Sequence, residues 1–590
     1  MAQKQTQQEQ GQGQGQKQEQ QHWLDKYANN AHTWQPSTDP TTGITSFERP
    51  LGLVESAFDI DGTHYGGRAD MTGILTLHIA HSLSPQALRH RIALAWTNLT
   101  LHHVLLRSRM KPSSTTGALS PRKFVVDVPA SPSEAVTRTS AQIVWLSDFY
   151  PVVDEQDLHH HALNVTRIID PATCLAKLLV LPLVRLPDGT HSLRLLTVFA
   201  HQISDGLSAY TWFSDLLRIL NTPARGIEED IAACVRPERV YASLPPAQED
   251  LYPKISGSRA RQRWFWALVR VLRHVHKPLP PTFANPLFRA TRLDAPPQLP
   301  QTYSKVFDYS AATRPPMAAA HITAALSPAA SARLMALCRG ARVSVGAGCF
   351  ALAGLSMMSF QSPPPDAPPP SFAASFPLNP RAFFANPPAP NSCMLAFSDG
   401  ILMPHLPASL PLETRFRIVA RRANKELRVF QKRRNADDNA ERGALHIHSP
   451  TRLLATGYVA QIERVAAKLS PAEQALRMPN PNPQGALPAA TGAYGATCGV
   501  SSVGSTAGFF AAGAYELLDL GERDFAADYR GLKMGVRARE REFLVGSSTD
   551  ADGIVGFGVS YDACAISRET AEEWAGRIGG LLEGRGGVKL

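Results

Sequence analysis

The stretch His201-Gln202-Ile203-Ser204-Asp205-Gly206 decides how this chain is read. It follows an apolar run from Ser192 to Ala200. It precedes Leu207 to Leu220, where Leu207, Tyr210, Phe213, Leu217 and Leu220 recur at helical spacing. The motif therefore lies at a strand end just before a helix, where a turning backbone can aim a side chain into a cleft. Of the 19 histidines, His201 alone has an aspartate four residues on that is followed by glycine. Imidazole has a free pKa near neutrality, so a histidine held at such a turn is a candidate general base. Asp205 can pack behind the turn and lock it through an ion pair, and Gly206 lets the chain turn tightly into the helix. A plainer reading competes: His201 is a satisfied core histidine and Asp205 the N-cap of the following helix.

Upstream, Cys174 to Leu186 and Ser192 to Ala200 are apolar runs joined by Pro187-Asp188-Gly189-Thr190. This predicts a hairpin whose second arm delivers the chain to His201. Thr72 to Ala80, Lys123 to Val128 and Ala141 to Leu146 read as strands, and Ser84-Pro85 opens a helix to about Leu106. Asn221 to Pro316, rich in proline and arginine, reads as a crossover whose one ordered piece is a helix from Ser258 to Lys277. There Arg259, Arg263, Arg270, His274 and Lys277 share one face, and Phe265, Leu268, Leu272 and Val275 another. Such a helix suits a membrane surface or a linker lying on the two halves, and the linker is the preferred reading.

The carboxy-terminal half repeats the mixture. Helices are expected at Ser327 to Leu337, Ser344 to Met358, Leu412 to Lys432 and, N-capped by Ser567, to Leu582. Strands are expected near Phe372 to Phe376, Met394 to Leu402, Cys498 to Ser502, Ala514 to Leu520, Leu532 to Arg537, Phe543 to Val545 and Gly556 to Tyr561. Gln361 to Pro370 and Arg433 to Arg442 read as loops.

A chain of 590 residues exceeds one ordinary core, which favours packed subdomains. The division is a glutamine-rich disordered tail over 1–21, an amino-terminal subdomain over 22–225, a crossover linker over 226–316 and a carboxy-terminal subdomain over 317–590. The fold class is α/β with mixed α+β character. With 44% hydrophobic and 19% charged residues the composition is that of a globular chain. There is no run of 18 apolar residues and no apolar signal region, so no transmembrane segment is expected and cytoplasm is the default location. Seven scattered cysteines, odd in number and without a C-x-x-C pair, read as buried thiols in a reducing compartment. The net charge of +10 sets 60 basic against 50 acidic residues without a nucleic-acid module, so an anionic co-substrate is the simpler account. Asp157-Leu158-His159-His160-His161, beside Asp154 and Glu155, has a metal-like composition. Adjacent histidines point apart, so it reads as a polar loop and no metal site is expected. G-x-S-x-G, H-E-x-x-H and G-x-x-x-x-G-K are all absent.

The H-x-x-x-D-G motif, with three further stretches, resembles the chloramphenicol-acetyltransferase-like superfamily. That group includes plant BAHD acyltransferases, alcohol acetyltransferases and peptide-synthetase condensation domains. The likeness runs from about His22 to about Glu583 and is greatest to the fungal trichothecene 15-O-acetyltransferase and alcohol acetyltransferase group. Phe376-Pro377-Leu378-Asn379-Pro380-Arg381 resembles the strand-end element whose arginine pairs with the motif aspartate. Met394 to Leu406 is similar to a strand of the fungal members, and Cys498 to Gly504 to the strand lining the tunnel opposite the histidine. The resemblance implies two subdomains with a tunnel between them, and His201 as base in acyl transfer from acyl-CoA to a hydroxyl. It also implies an Asp205–Arg381 structural ion pair and an oxyanion donor in Ser501 or Ser502. No bound cofactor is implied. It further implies acetyl-CoA as the co-substrate, a small alcohol such as a terpenoid of secondary metabolism as the acceptor, and a monomer without nucleic-acid partners. Two departures narrow it. D-F-G-W-G is absent, Gly556-Phe557-Gly558 being the nearest run, and Ala200 stands where condensation domains carry a second histidine. A condensation-type enzyme taking its acyl group from a carrier protein is the alternative; a silent binding protein and an esterase are more distant ones.

Overall fold

The computed structural model describes residues 23–111, 122–275, 282–310, 317–361, 370–398, 400–430, 449–471, 483 and 496–583. The expected tail over 1–21, nearly all of the Gln361 to Pro370 loop and the whole of the Arg433 to Arg442 loop lie outside the described residues.

In the first lobe, after a short helix at Trp23–Lys26 and strands at Gln35–Thr38 and Thr45–Pro50, comes a helix, Leu53–His64 (α1), that the sequence reading did not identify. Its apolar pattern is broken by Asp59, Asp61 and Gly62, yet all three are buried beside Phe58 and Ile60. Its start is held by Glu55, whose carboxylate accepts from the Gly52 N–H at 2.7 Å and pairs with buried Arg49. The strand Met71–His81 (β1) follows, then the helix Pro85–His102 (α2), N-capped by Ser84 with proline at its first turn. Strands Ile143–Trp145 (β2), Ala176–Val180 (β3) and His191–Phe199 (β4) complete the local set. β4 lies antiparallel between β1 and β3, in register Met71 with Phe199 and Ala176 with Phe199. The turn before β4 works as its residues dictate. Gly189 takes φ +85°, and the Asp188 carboxylate accepts from the Thr190 N–H and hydroxyl.

After β4 comes one 3₁₀ turn, His201–Ile203, and then the helix Gly206–Leu220 (α3). Gly206 is not in the left-handed region, and a Cβ there would meet nothing within 4 Å, so the turn itself does not require glycine. The expected polar loop at 157–161 is instead a helix, Glu155–Ala162, capped by Asp154. His159 Nε2 lies 2.7 Å from the Thr72 hydroxyl and His161 Nδ1 2.8 Å from the Tyr309 hydroxyl, so each of these imidazoles has its own partner.

The crossover holds more than one ordered piece. The helix Ala224–Cys234 (α4) buries Ile227 and Ile231 in the first lobe's core before the helix Arg259–His274 (α5) appears. The buried face of α5 is Phe265, Trp266 and Val269, while Val275 is exposed. This face is rotated from the expected one because Trp266 docks edge-on against Trp23 and Tyr27, and Arg273 pairs with Glu463 in the interior.

The second lobe contains the strand Ala319–Ala325 (β5), helices Pro328–Ala341 (α6) and Val345–Met358 (α7), strands Phe372–Ser375 (β6) and Ile401–Met403 (β7), and the helix Leu412–Phe430 (α8). A second unforeseen helix, Pro450–Ala467 (α9), buries Leu454, Tyr458, Val459 and Ile462 under α5 and α1. Strands Cys498–Ser505 (β8), Phe525–Val536 (β9), Phe543–Thr549 (β10) and Val555–Asp562 (β11) and the helix Arg568–Gly580 (α10) finish the chain. The sheet order is β5-β11-β10-β8-β6-β7. Val555, Phe557, Val559 and Tyr561 turn into the lobe's hydrophobic core. The opposite face meets the first lobe.

β9 is the exception. Coming late in the chain, it hydrogen-bonds antiparallel to β1, from Phe525 with His81 to Val536 with Met71, and so edges the first lobe's sheet. It also touches the second lobe, where the Val536 N–H donates to the Ser560 hydroxyl at 3.0 Å. The strand expected over Ala514 to Leu520 is a series of turns. At its start the N–H of Tyr515, like that of Gly513 just before it, donates to the Asp528 carboxylate rather than to a neighbouring strand. Among the described residues no single helix is long and apolar enough to cross a membrane.

α3 seats on the sheet at Gly73 of β1, where a Cβ would lie 2.5 Å from the Phe213 ring. Gly73→Val should therefore cost about 1–3 kcal/mol by overpacking, read as a lowered urea midpoint. Gly206→Ala, with open space at its Cβ, should leave that midpoint unchanged.

Candidate active site

The strand-to-helix turn fixes His201 by its own backbone. Nδ1 stands 2.7 Å from the carbonyl oxygen of Ser204. A carbonyl can only accept, so Nδ1 carries the proton and Nε2 is left with its lone pair. The ring is half-buried and stacks on Phe58 of α1 with centroids 3.8 Å apart and planes 6° from parallel. The Arg539 guanidinium lies 5.7 Å from the centroid of the same phenyl ring, and Phe397 is 6.5 Å from it. His201 is thus placed where both halves of the chain meet. Burial, the larger cause, and the positive charge of Arg539 both hold its pKa below the ordinary 6.5, which favours the neutral imidazole. Arg539 is itself secured, by Asp61 of α1 and by Glu542 at 3.0 Å.

Asp205 is an N-cap and an ionic partner at once. Its Oδ1 accepts from the Ser208 N–H at 2.9 Å, and the Ser208 hydroxyl accepts from the Asp205 N–H at 2.8 Å, a reciprocal capping box. Its Oδ2 faces the other half, accepting from Arg381 Nη1 at 2.8 Å and the Met394 N–H at 2.9 Å. Arg381 reaches on to the Ser392 carbonyl at 2.6 Å, and its backbone is held by Asn379. Both partners are almost fully buried. The carboxylate of Asp205 is engaged by the helix cap and this cross-lobe lock.

The two serines do not share a face. On β8, Val500 is opposite Val545, Ser501 opposite Gly546 and Ser502 opposite Ser547. Val500 and Val545 belong to the second lobe's core, so Ser502 turns with them toward α7, where a Cβ on Gly346 would lie 3.3 Å from its hydroxyl. Ser501 turns the other way, onto the face opposite that core. The contacts of His201 include neither serine.

Among the described residues, one group brings three metal-ligating atoms together: His102, Asp230 and Cys234, on α2 and α4. His102 Nε2 is 2.5 Å from the Asp230 carboxylate, a hydrogen bond and well short of the about 3.4 Å between nitrogen and oxygen ligands of tetrahedral zinc. The trio is hydrogen-bonded as it stands. His201 lines neither the cavity of about 330 Å³ beside α3 and Asn391 nor that of about 310 Å³ beside Arg122 and Arg167.

The structure brings the sequence-predicted His201, Asp205 and Arg381 to one junction, together with Phe58 and Arg539, which the sequence did not point to. Phe58 lay in the unrecognised α1. Arg539 follows β9 outside any motif, and only the tertiary fold brings it to Phe58.

Neither a family model nor a curated protein sequence matches this chain. Solved structures do. The TRI3 trichothecene 15-O-acetyltransferase from Fusarium sporotrichioides superposes with a TM-score of 0.61 at 12% identity, over 94% of this chain and 98% of that one. A four-domain nonribosomal peptide synthetase bound to AMP and glycine gives 0.50 at 10% identity, over 94% of this chain and 33% of the synthetase. The chain has the two-lobed chloramphenicol-acetyltransferase-like fold.

The cross-lobe lock can be tested directly. Arg381→Met leaves a buried carboxylate unpaired and should cost about 3–5 kcal/mol in chemical unfolding. Asp205→Asn keeps a capping side chain and should cost less. The double variant should be more stable than Arg381→Met alone, and independent, additive losses would show that the two groups do not interact.

Proposed function

We propose that this chain is an O-acyltransferase that moves an acyl group from acyl-CoA to a hydroxyl of a small molecule, with His201 as general base. The observation that carries the reading is the Nδ1 contact with the Ser204 carbonyl, which leaves Nε2 as the basic nitrogen. Nε2 removes the hydroxyl proton as the oxygen attacks the thioester carbonyl in a tunnel between the lobes. The oxyanion that forms accepts a hydrogen bond from Ser501, the serine on the face turned from the second lobe's core. The imidazolium then protonates the departing CoA thiolate, and the base is restored. No covalent acyl-enzyme is needed. Asp205 and Arg381 hold the turn and stay outside the proton path.

Acetyl as the acyl group and a terpenoid as acceptor rest on the likeness to the trichothecene acetyltransferase. A second reading, condensation with a carrier-bound acyl donor, rests on the likeness to the peptide synthetase. Ala200, in place of a second histidine, favours the free-standing transferase.

Thiol release from acetyl-CoA, measured over a panel of hydroxylated terpenoids and simple alcohols, tests the reading. His201→Ala should lower turnover about 10²- to 10⁴-fold with the unfolding midpoint unchanged. Ser501→Ala should cost about 10²-fold, and Ser502→Ala little. Transfer from an acyl carrier protein but from no CoA thioester would select the second reading. The acid limb of kcat/KM should lie below pH 6.5, because a lowered pKa keeps His201 unprotonated until the solution is more acidic. Arg539→Gln removes a positive charge, raises that pKa and should move the limb upward. A limb that stays in place would remove Arg539 from the account.

A further inference from the structure

The helix α5 is apolar on two opposite faces. One, centred on Phe265, Trp266 and Val269, is anchored in the aromatic cluster of Trp23, Tyr27 and Tyr458. The other carries Trp264, Leu268, Val271 and Val275 at successive helical turns, a spacing of four, three and four residues. On that face Trp264 is 64% exposed, Val271 54% and Val275 61%. A helix on the surface of a globular protein normally turns polar side chains outward, so the fold does not account for this stripe.

The flanks of the stripe are basic. Arg261 borders one edge; Arg263 and His274 border the other, with Arg259 beyond them, and all four are exposed. No acidic residue occurs between Ile255 and Val275. An apolar stripe bearing a tryptophan, displayed on one rigidly docked helix and edged on both sides by guanidinium groups, is the arrangement of a helix lying in a bilayer interface. The aromatic ring would sit at headgroup depth, and the arginines would reach lipid phosphates and serine carboxylates.

We propose that α5 is a membrane-docking surface for anionic lipid, through which the folded protein lies on a bilayer without crossing it. The proposal is independent of the acyl-transfer reading, since α5 contributes nothing to the contacts of His201. Charge complementarity selects lipid of negative headgroup over neutral lipid.

The test is flotation of the full-length chain with vesicles of phosphatidylcholine alone and of phosphatidylcholine mixed with phosphatidylserine. The wild type should float with the mixed vesicles and much less with the neutral ones. Trp264→Gln combined with Val271→Gln should weaken the partition roughly tenfold or more. Arg261→Gln and Arg263→Gln should each weaken it about fivefold and flatten its salt dependence. All of these side chains are exposed, so unfolding midpoints should not move, and Leu518→Ser, at an exposed leucine elsewhere, should float like the wild type. A wild type that stays in the infranatant with both vesicles would overturn the proposal, as would equal loss in Leu518→Ser. So would a dimer in sedimentation velocity that Trp264→Gln dissolves without any vesicle binding, because a second copy would then cover the stripe.

Discussion

One buried carboxylate joins what the rest of the site depends on. Asp205 caps the first turn of α3 with one oxygen and receives Arg381 and the Met394 N–H with the other. The turn that orients His201 and the packing of the second lobe against the first therefore share a single side chain. A charge that has left water survives in the interior only if its lone pairs are met, and here three donors meet them. An aspartate at this position is under tighter geometric demand than a histidine base four residues earlier would impose by itself.

The base is tuned by different residues from those that hold the turn. Phe58 supplies an apolar plate under the imidazole, and Arg539 adds positive charge near that plate while its own charge is offset by Asp61 and Glu542. The two effects act in the same direction on His201. They come from α1 and from the chain after β9, elements far apart in sequence. β9 also ties the lobes in the backbone itself, since a late strand completes an early sheet. Closure between the halves is therefore set by a ladder of backbone hydrogen bonds as well as by the Asp205–Arg381 pair.

What was legible in the sequence was local. The Asp188-Gly189 turn, the serine caps at Ser84 and Ser344, and the periodic run after Gly206 each carry their own stereochemical instruction, and each was read within a few residues. α1 was missed because its buried aspartates hide the apolar stripe, and their partners Arg122, Lys468 and Arg539 are distant. The histidine run at 157–161 reads as a loop by composition, whereas Asp154 capping and burial of His159 and His161 make it a helix. The face of α5 was misassigned for a related reason: both sides of that helix are apolar, and only the position of Trp23, Tyr27 and Tyr458 decides which one is inside. Ser501 and Ser502 could not be told apart until strand register separated them.

General-base catalysis by His201 turns on one proton, and nitrogen-15 NMR of the histidine imidazoles sees it directly. With His201 identified by its absence from a His201→Gln spectrum, the protonated nitrogen should be Nδ1 at neutral pH, and the ring should titrate below 6.5. A neutral ring protonated on Nε2, or one that stays charged at pH 7, would leave no basic nitrogen facing a substrate and would contradict the account.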